Sequence, residues 1–115
     1  MRLRSPATTK RHQTRVPAVL PLRVRGTDKD GKSFEELAHT LDISVTSSRV
    51  ATIHYQLRVK DHVTVVYRQR RITFLVVWTR PMGTNEYHVG LQAVGQANEV
   101  WGLGPSDYDY GVNGR

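Results

Sequence analysis

The stretch "HVTVVYRQRRITFLVVWTR", residues 62–80, decides the fold of this chain. Two runs rich in β-branched and aromatic residues, "HVTVVYR" and "RITFLVVWTR", flank a charged tip at 68–70, and this pattern predicts two adjacent strands joined by a short turn. The second run is apolar on both faces. Its sheet must therefore be covered on both sides or closed on itself, and we predict a small antiparallel barrel.

Shorter strand patterns lie on either side of this hairpin. "VLPLRVR" alternates, with Leu20, Leu22 and Val24 on one face, and "FEELAHTLDIS" and "EYHVGLQAV" alternate as well. Turn signals separate these runs at short intervals. Near the C-terminus, "NEVWG" predicts a single helical turn that ends at Gly102. The two tryptophans, Trp78 and Trp101, are most simply core or lid residues.

These patterns predict an all-β fold, a small six-stranded antiparallel β-barrel with a short C-terminal helical turn. The length of 115 residues suits a single domain. We divide it into a flexible basic arm over residues 1–17, a barrel over residues 18–102 and a loose tail over residues 103–115.

The positive charge is concentrated at the N-terminus. The formal net charge is +7, and residues 1–25 contain seven lysines or arginines and no acid. The remaining ten basic and ten acidic residues cancel. A basic arm on a neutral body suggests an anionic partner, although a solvated tail has the same composition.

Composition gives little support to catalysis or to a metal site. The chain has no cysteine, which excludes disulfides and a cysteine nucleophile, and its five histidines have no metal-site spacing. No nucleophile elbow and no glycine-rich phosphate loop is present. We therefore expect no enzymatic activity, no metal and no cofactor.

The sequence also suggests where the protein works. Its longest apolar run, "FLVVW", is far too short to span a bilayer. The N-terminus has the charge of a signal peptide's first part but no apolar segment after it. We expect a soluble cytoplasmic protein without membrane insertion.

Two short motifs could bind an anionic ligand. "KRHQTR", from Lys10 to Arg15, places two arginines four residues apart, and the arginine fork matches both phosphate and the O6/N7 edge of guanine. "DISVTS", from Asp42 to Ser47, offers a carboxylate and a hydroxyl on one face of a strand end. Taken alone, the second motif is more simply a turn that satisfies its own backbone.

In this order and spacing the two motifs resemble the PilZ family, the bacterial receptor domain for cyclic di-GMP. Arg11-His-Gln-Thr-Arg15 matches the family's Arg-x-x-x-Arg, and Asp42-Ile-Ser44-Val-Thr-Ser47 matches its Asp/Asn-x-Ser-x-x-Gly except at the last position. "ITFLVVWTR", "YHVGLQAV" and "NEVWG" are similar to later parts of the family pattern. The resemblance covers residues 10–102.

The resemblance implies a cyclic di-GMP receptor. Arg11 and Arg15 would grip phosphates and guanine edges, with Lys10 as electrostatic support. Asp42 and Ser44 would contact a guanine from the barrel side, next to Ser47. The arm would close over the barrel when ligand binds, and the signal would pass in trans to an unidentified effector protein.

Two alternatives stay open. Ser47 stands where the family pattern has glycine, and members with altered motifs can be protein-interaction modules that do not bind nucleotide. A pI near 10.3 also suits a small barrel that binds nucleic acid. Against this second alternative, the body of the chain is neutral and no exposed aromatic platform is evident, so we expect nucleic acid not to be the partner.

Overall fold

The computed structural model describes residues 14–96 and 98–110. Two predicted site residues, Lys10 and Arg11, lie outside the described residues, as does most of the predicted arm. The C-terminal end of the predicted tail, residues 111–115, lies outside them too.

Seven strands and one short helix follow one another in the described residues. They are β1 (Val16–Pro17), β2 (Pro21–Thr27), β3 (Ser33–Ile43), β4 (Ser47–Ile53), β5 (His62–Tyr67), β6 (Arg70–Pro81), β7 (Tyr87–Ala93) and α1 (Pro105–Tyr110). The strand pairs are antiparallel, in the sheet order β1-β3-β2-β5-β6-β7-β4, and the β3–β4 pairing closes the barrel. The predicted all-β class and six-stranded barrel are confirmed, with β1 as an additional strand.

The barrel interior is filled by alternate residues of every long strand. In β6, Ile72, Phe74 and Val76 are buried while the residues between them face outward. The alternation predicted for 19–25 is also present, since Leu20, Leu22 and Val24 are all buried. Because only alternate residues are needed for the core, the outward-facing residues of each strand are available to form a site.

The β5–β6 hairpin has a tight turn at its charged tip. Arg68 and Gln69 have φ values of 50° and 67°, so both central residues of the turn are left-handed. This is the geometry of a type I′ turn, whose twist matches that of the flanking strands. The guanidinium of Arg68 lies over the Tyr67 ring, 5.3 Å from its centroid.

Two β-bulges change which side chains face outward. In β3, Thr40 pairs with Val50 and Asp42 with Arg49, so Leu41 is an extra residue. In β6, Val76 pairs with Leu91 and Trp78 with Gly90, so Val77 is extra in the same way. Without these bulges the period of two would point Asp42 and Trp78 into the core. With them, both side chains lie on the outer face.

Both ends of the described range, near Val16 and Tyr108, pack onto the barrel. Val16 of β1 is buried and pairs with Ile43, although the sequence predicted an arm as far as residue 17. A short C-terminal helix is present, but its predicted position was wrong: it lies at Pro105–Tyr110, within the predicted loose tail. Residues 98–102 form bends instead, because the Glu99 carboxylate accepts from the backbone amides of residues 101–103. Across the described ranges, no helix is both long and apolar enough to cross a membrane.

Candidate functional site

One row of outward-facing residues crosses five strands and defines the site. Each member is the registered partner of the next, and neighbours of the row such as Ile43, Val50 and Val89 point into the core. In spatial order the row contains Pro17 of β1, Asp42 of β3, Arg49 of β4, Gly90 of β7 and Trp78 of β6. Residues from distant parts of the sequence therefore form one continuous surface.

Arg15 is fixed at one end of this row by three contacts. Its Nε and Nη2 donate to Asp42 Oδ1 at 2.9 and 2.6 Å, and its Nη1 donates to Ser47 Oγ at 2.9 Å. The guanidinium thus joins the predicted arm to the two ends of the "DISVTS" motif. Charge-assisted hydrogen bonds of this kind are stronger than neutral ones.

A second arginine shares the same carboxylate. Arg49 Nη2 lies 2.9 Å from Asp42 Oδ2, so each carboxylate oxygen faces a different guanidinium. The Asp42 side chain is 17% exposed and each arginine side chain is 43% exposed. The cluster of Arg15, Asp42 and Arg49 therefore carries one net positive charge at a half-open surface.

The turn between β3 and β4 is held by hydrogen bonds to each of its four carbonyl oxygens. The carbonyl of residue 44 accepts from the Trp101 indole at 2.8 Å, and the carbonyl of residue 45 accepts from the Val100 amide at 2.9 Å. The carbonyl of residue 46 accepts from the Ala93 amide at 2.8 Å, and the carbonyl of residue 47 accepts from the amide of residue 44 at 2.9 Å. Because these acceptors are satisfied, the backbone of the turn is preorganised and its side chains are left for other contacts.

The hydroxyls of Ser44 and Ser47 are hydrogen-bonded to each other beneath Arg15. Ser44 is buried and Ser47 is half-buried. Ser47 has no left-handed backbone angle, unlike five other non-glycine residues of the described chain. Its backbone is therefore one that a serine adopts without strain.

A cleft of about 520 Å³ is lined by Arg15 and by two members of the row, Gly90 and Trp78, whereas Asp42 and Arg49 lie outside its lining. Trp78 forms one wall and lies over Gly90, since a Cβ built on this glycine would be 2.2 Å from the Trp78 Nε1. The lining combines one cation, an aromatic ring and several hydroxyl or amide groups. It consists of Arg15, Ser44, Thr46, Ser47, Ser48, Val77, Trp78, Gly90, Leu91 and Gln92.

A second cleft, of about 620 Å³, lies on the other side of the same turn. Thr14 and Val45 line it, whereas their chain neighbours Arg15 and Ser44 line the first cleft. Its floor includes Glu99, whose carboxylate accepts from the backbone amides of residues 101, 102 and 103 and from the Tyr108 hydroxyl at 2.5 Å. Burial first, and then this hydrogen bond, raise the pKa of Tyr108 above its ordinary value.

Four of the six predicted site residues come together. Arg15, Asp42, Ser44 and Ser47 form one hydrogen-bonded cluster. Asp42 does not line the cleft, however, and both its oxygens are engaged by arginines. This differs from the expected direct contact between Asp42 and a base.

Sequence reasoning missed three residues of the site. Arg49 is opposite Asp42 only in the paired register, and Trp78 faces outward only because of the bulge at Val77. Trp101, in contrast, is a core residue, 1% exposed, as predicted. Gln92 was within reach of sequence reasoning because it follows Gly90 by two residues and so shares its face.

Within residues 14–96 and 98–110, no group of three or more histidine, aspartate or glutamate side chains is placed to hold a metal ion. A scan against protein-family models gives no matching family, and a search of curated proteins gives no matching relative. The function is therefore argued from the geometry of the cleft and from the motifs that meet there.

Proposed function

We propose that this protein is a receptor for cyclic di-GMP of the PilZ type, without catalytic activity. The observation that carries the proposal is the contact of Arg15 with Asp42 and Ser47, at the edge of a cleft walled by Trp78. Arg15 and Asp42 are 27 residues apart in sequence, and their contact supports a ligand site shared by the two motifs.

The cleft provides the groups that such a ligand needs. Cyclic di-GMP has two phosphates, which suit the arginine fork, and two guanines, which suit a flat apolar wall. Trp78 offers a half-exposed ring for stacking, and base–aromatic stacking contributes about 1–3 kcal/mol per base. Hydroxyls of the turn and the Gln92 side chain also line the cleft and supply hydrogen-bonding groups for a base edge.

Arg11 and Lys10 enter the proposal from the sequence alone. They precede Arg15 by four and five residues, and Thr14 and Arg15 bring the chain to the mouth of the cleft. A second guanidinium from the arm would complete charge neutralisation of the two phosphates. Each arm residue that is fixed on the ligand would cost roughly 1–2 kcal/mol of conformational entropy, which contacts with the ligand must offset.

Signalling to a partner would use the wall that the two clefts share. The segment Thr14–Arg15 and the turn at residues 44–47 face both clefts, and the turn is bonded to Val100 and Trp101. A ligand that repositions Arg15 would therefore alter the surface that the C-terminal segment presents. We propose that an effector protein reads this surface in trans.

Titration calorimetry with cyclic di-GMP tests the proposal. We expect saturable heat at tens of micromolar ligand, lost in the Arg15→Ala variant. No heat from the intact chain would refute the receptor proposal and favour a protein-interaction module. Salt-sensitive binding to arbitrary DNA or RNA instead would favour the nucleic-acid alternative.

A further inference from the structure

The cluster of Arg15, Asp42 and Arg49 contains two positive charges and one negative charge. Asp42 is the one carboxylate within ion-pair distance of either Arg15 or Arg49 in the described part of the chain. Two guanidiniums thus share a single anion. An excess positive charge beside a cleft attracts an anionic ligand group.

Arg49 is also incompletely satisfied by the protein. Its Nη2 meets Asp42, but its Nε is buried and has no hydrogen-bond partner among the described residues. Buried donors are normally paired, and an unpaired one calls for an explanation such as a missing ligand or ion. The Arg49 side chain is 43% exposed, so solvent reaches part of it.

The register places Arg49 where it can reach the ligand. Its Cα is paired with that of Gly90, which lines the cleft, and Trp78 is the next residue in the row. Paired Cα atoms of antiparallel strands are about 4.5–5.5 Å apart, a distance that an extended arginine side chain exceeds. The Trp78 ring occupies the space over Gly90, so Arg49 is a cross-strand neighbour of the position that carries this wall of the cleft.

We infer that Arg49 is the second arginine of the barrel-side ligand site, binding an anionic phosphate group of the ligand together with Arg15. Asp42 then serves as the bridge that holds the two guanidiniums side by side before ligand arrives. This inference rests on the proposed function for the identity of the ligand, but the phosphate chemistry of the site can be tested apart from it.

The test compares Arg49→Gln and Arg49→Lys with a matched control. Arg23→Gln is suitable because Arg23 is an ion-paired arginine of similar exposure on the outer face of β2, bonded to Glu35 and not part of the cleft. Each full-length protein is titrated with cyclic di-GMP and, separately, with inorganic pyrophosphate at low ionic strength. Thermal melts check that the variants are folded.

We expect Arg49→Gln to weaken the binding of both probes by roughly tenfold or more, as loss of a charged hydrogen bond would. Arg49→Lys should retain part of the affinity, because the charge remains but the fork is lost. Arg23→Gln should stay within about twofold of wild type.

The outcomes separate this inference from the proposed function. If wild type binds cyclic di-GMP and Arg49→Gln binds it equally well, Arg49 is only a structural partner of Asp42 and the inference is wrong, while the receptor proposal stands. If wild type binds pyrophosphate through Arg49 but does not bind cyclic di-GMP, the receptor proposal is wrong and the inference stands. If wild type binds neither probe, both are wrong.

Discussion

Arg15 Nη2 lies 2.6 Å from Asp42 Oδ1, which ties the end of the N-terminal arm to the outer face of strand β3. The same carboxylate holds Arg49 through its other oxygen. Asp42 therefore positions two cations instead of facing the cleft itself. This relationship makes the role of Asp42 testable.

We expect Asp42→Asn to weaken cyclic di-GMP binding by roughly tenfold, because Arg15 and Arg49 would lose the charge that holds them in place. The free energy of unfolding should fall by no more than about 1 kcal/mol, since both pairs are half-exposed. Calorimetry and thermal melts measure the two effects. Asp61→Asn is the control, because Asp61 is paired with Arg58 in a loop outside the cleft. Tighter binding by Asp42→Asn would mean that Asp42 competes with the ligand for Arg15.

Gly90→Ala tests the placement of Trp78. The added methyl group would lie 2.2 Å from the indole nitrogen, so the ring must swing into solvent. We expect red-shifted tryptophan emission, easier quenching by acrylamide and weaker cyclic di-GMP binding. Gly104→Ala is the control, because its Cβ would meet no atom closer than 4.0 Å. Unchanged emission in Gly90→Ala would show that Trp78 does not cover this glycine.

Ser47 decides between a receptor and a degenerate module. Its hydroxyl accepts from Arg15 Nη1 at 2.9 Å, so Ser47→Ala and Ser47→Gly should each weaken cyclic di-GMP binding by a few-fold. The two variants should behave alike, because Ser47 has no left-handed backbone angle that glycine would relieve. If Ser47→Gly bound tightly while wild type and Ser47→Ala were silent, the interaction-module alternative would gain strong support.

Tyr108 is expected to make the protein less stable at alkaline pH. Its pKa is raised by burial and by the Glu99 carboxylate, so the folded state holds this proton more tightly than the unfolded state. Stability from this group is fully present below the ordinary tyrosine pKa of about 10 and is lost as the pH rises above it. Thermal melts between pH 8 and pH 11 should show a smaller decline in Tyr108→Phe than in wild type, whatever their difference at neutral pH. Equal declines in wild type and Tyr108→Phe would mean that groups other than Tyr108 cause the loss of stability.

The sequence predicted the barrel because its strands follow the period of two where burial is strongest. The runs at 62–67 and 70–76 and the face of Leu20, Leu22 and Val24 are examples. In β3 the period of two does not hold over the whole strand. The bulge at Leu41 changes which residues face the core between the first and second halves, so Leu37 is 66% exposed. Bulges depend on pairing between strands, which a single strand does not encode.

The site was predicted in part for the same reason. Arg15, Asp42, Ser44 and Ser47 belong to short local motifs and could be found by spacing. Arg49 and Trp78 join the site through cross-strand register and a bulge, so no local pattern marks them. Asp42 was found as well, but its ion pairs with two arginines were not predicted, because they are visible only in three dimensions.

The proposed binding of cyclic di-GMP at the cleft beside Arg15 is tested most directly by titration calorimetry of the wild-type chain and its Arg15→Ala variant with this ligand. We predict saturable binding at tens of micromolar ligand for wild type and none for the variant. Equal binding by both proteins would contradict the site, and absence of binding by wild type would contradict the receptor function itself.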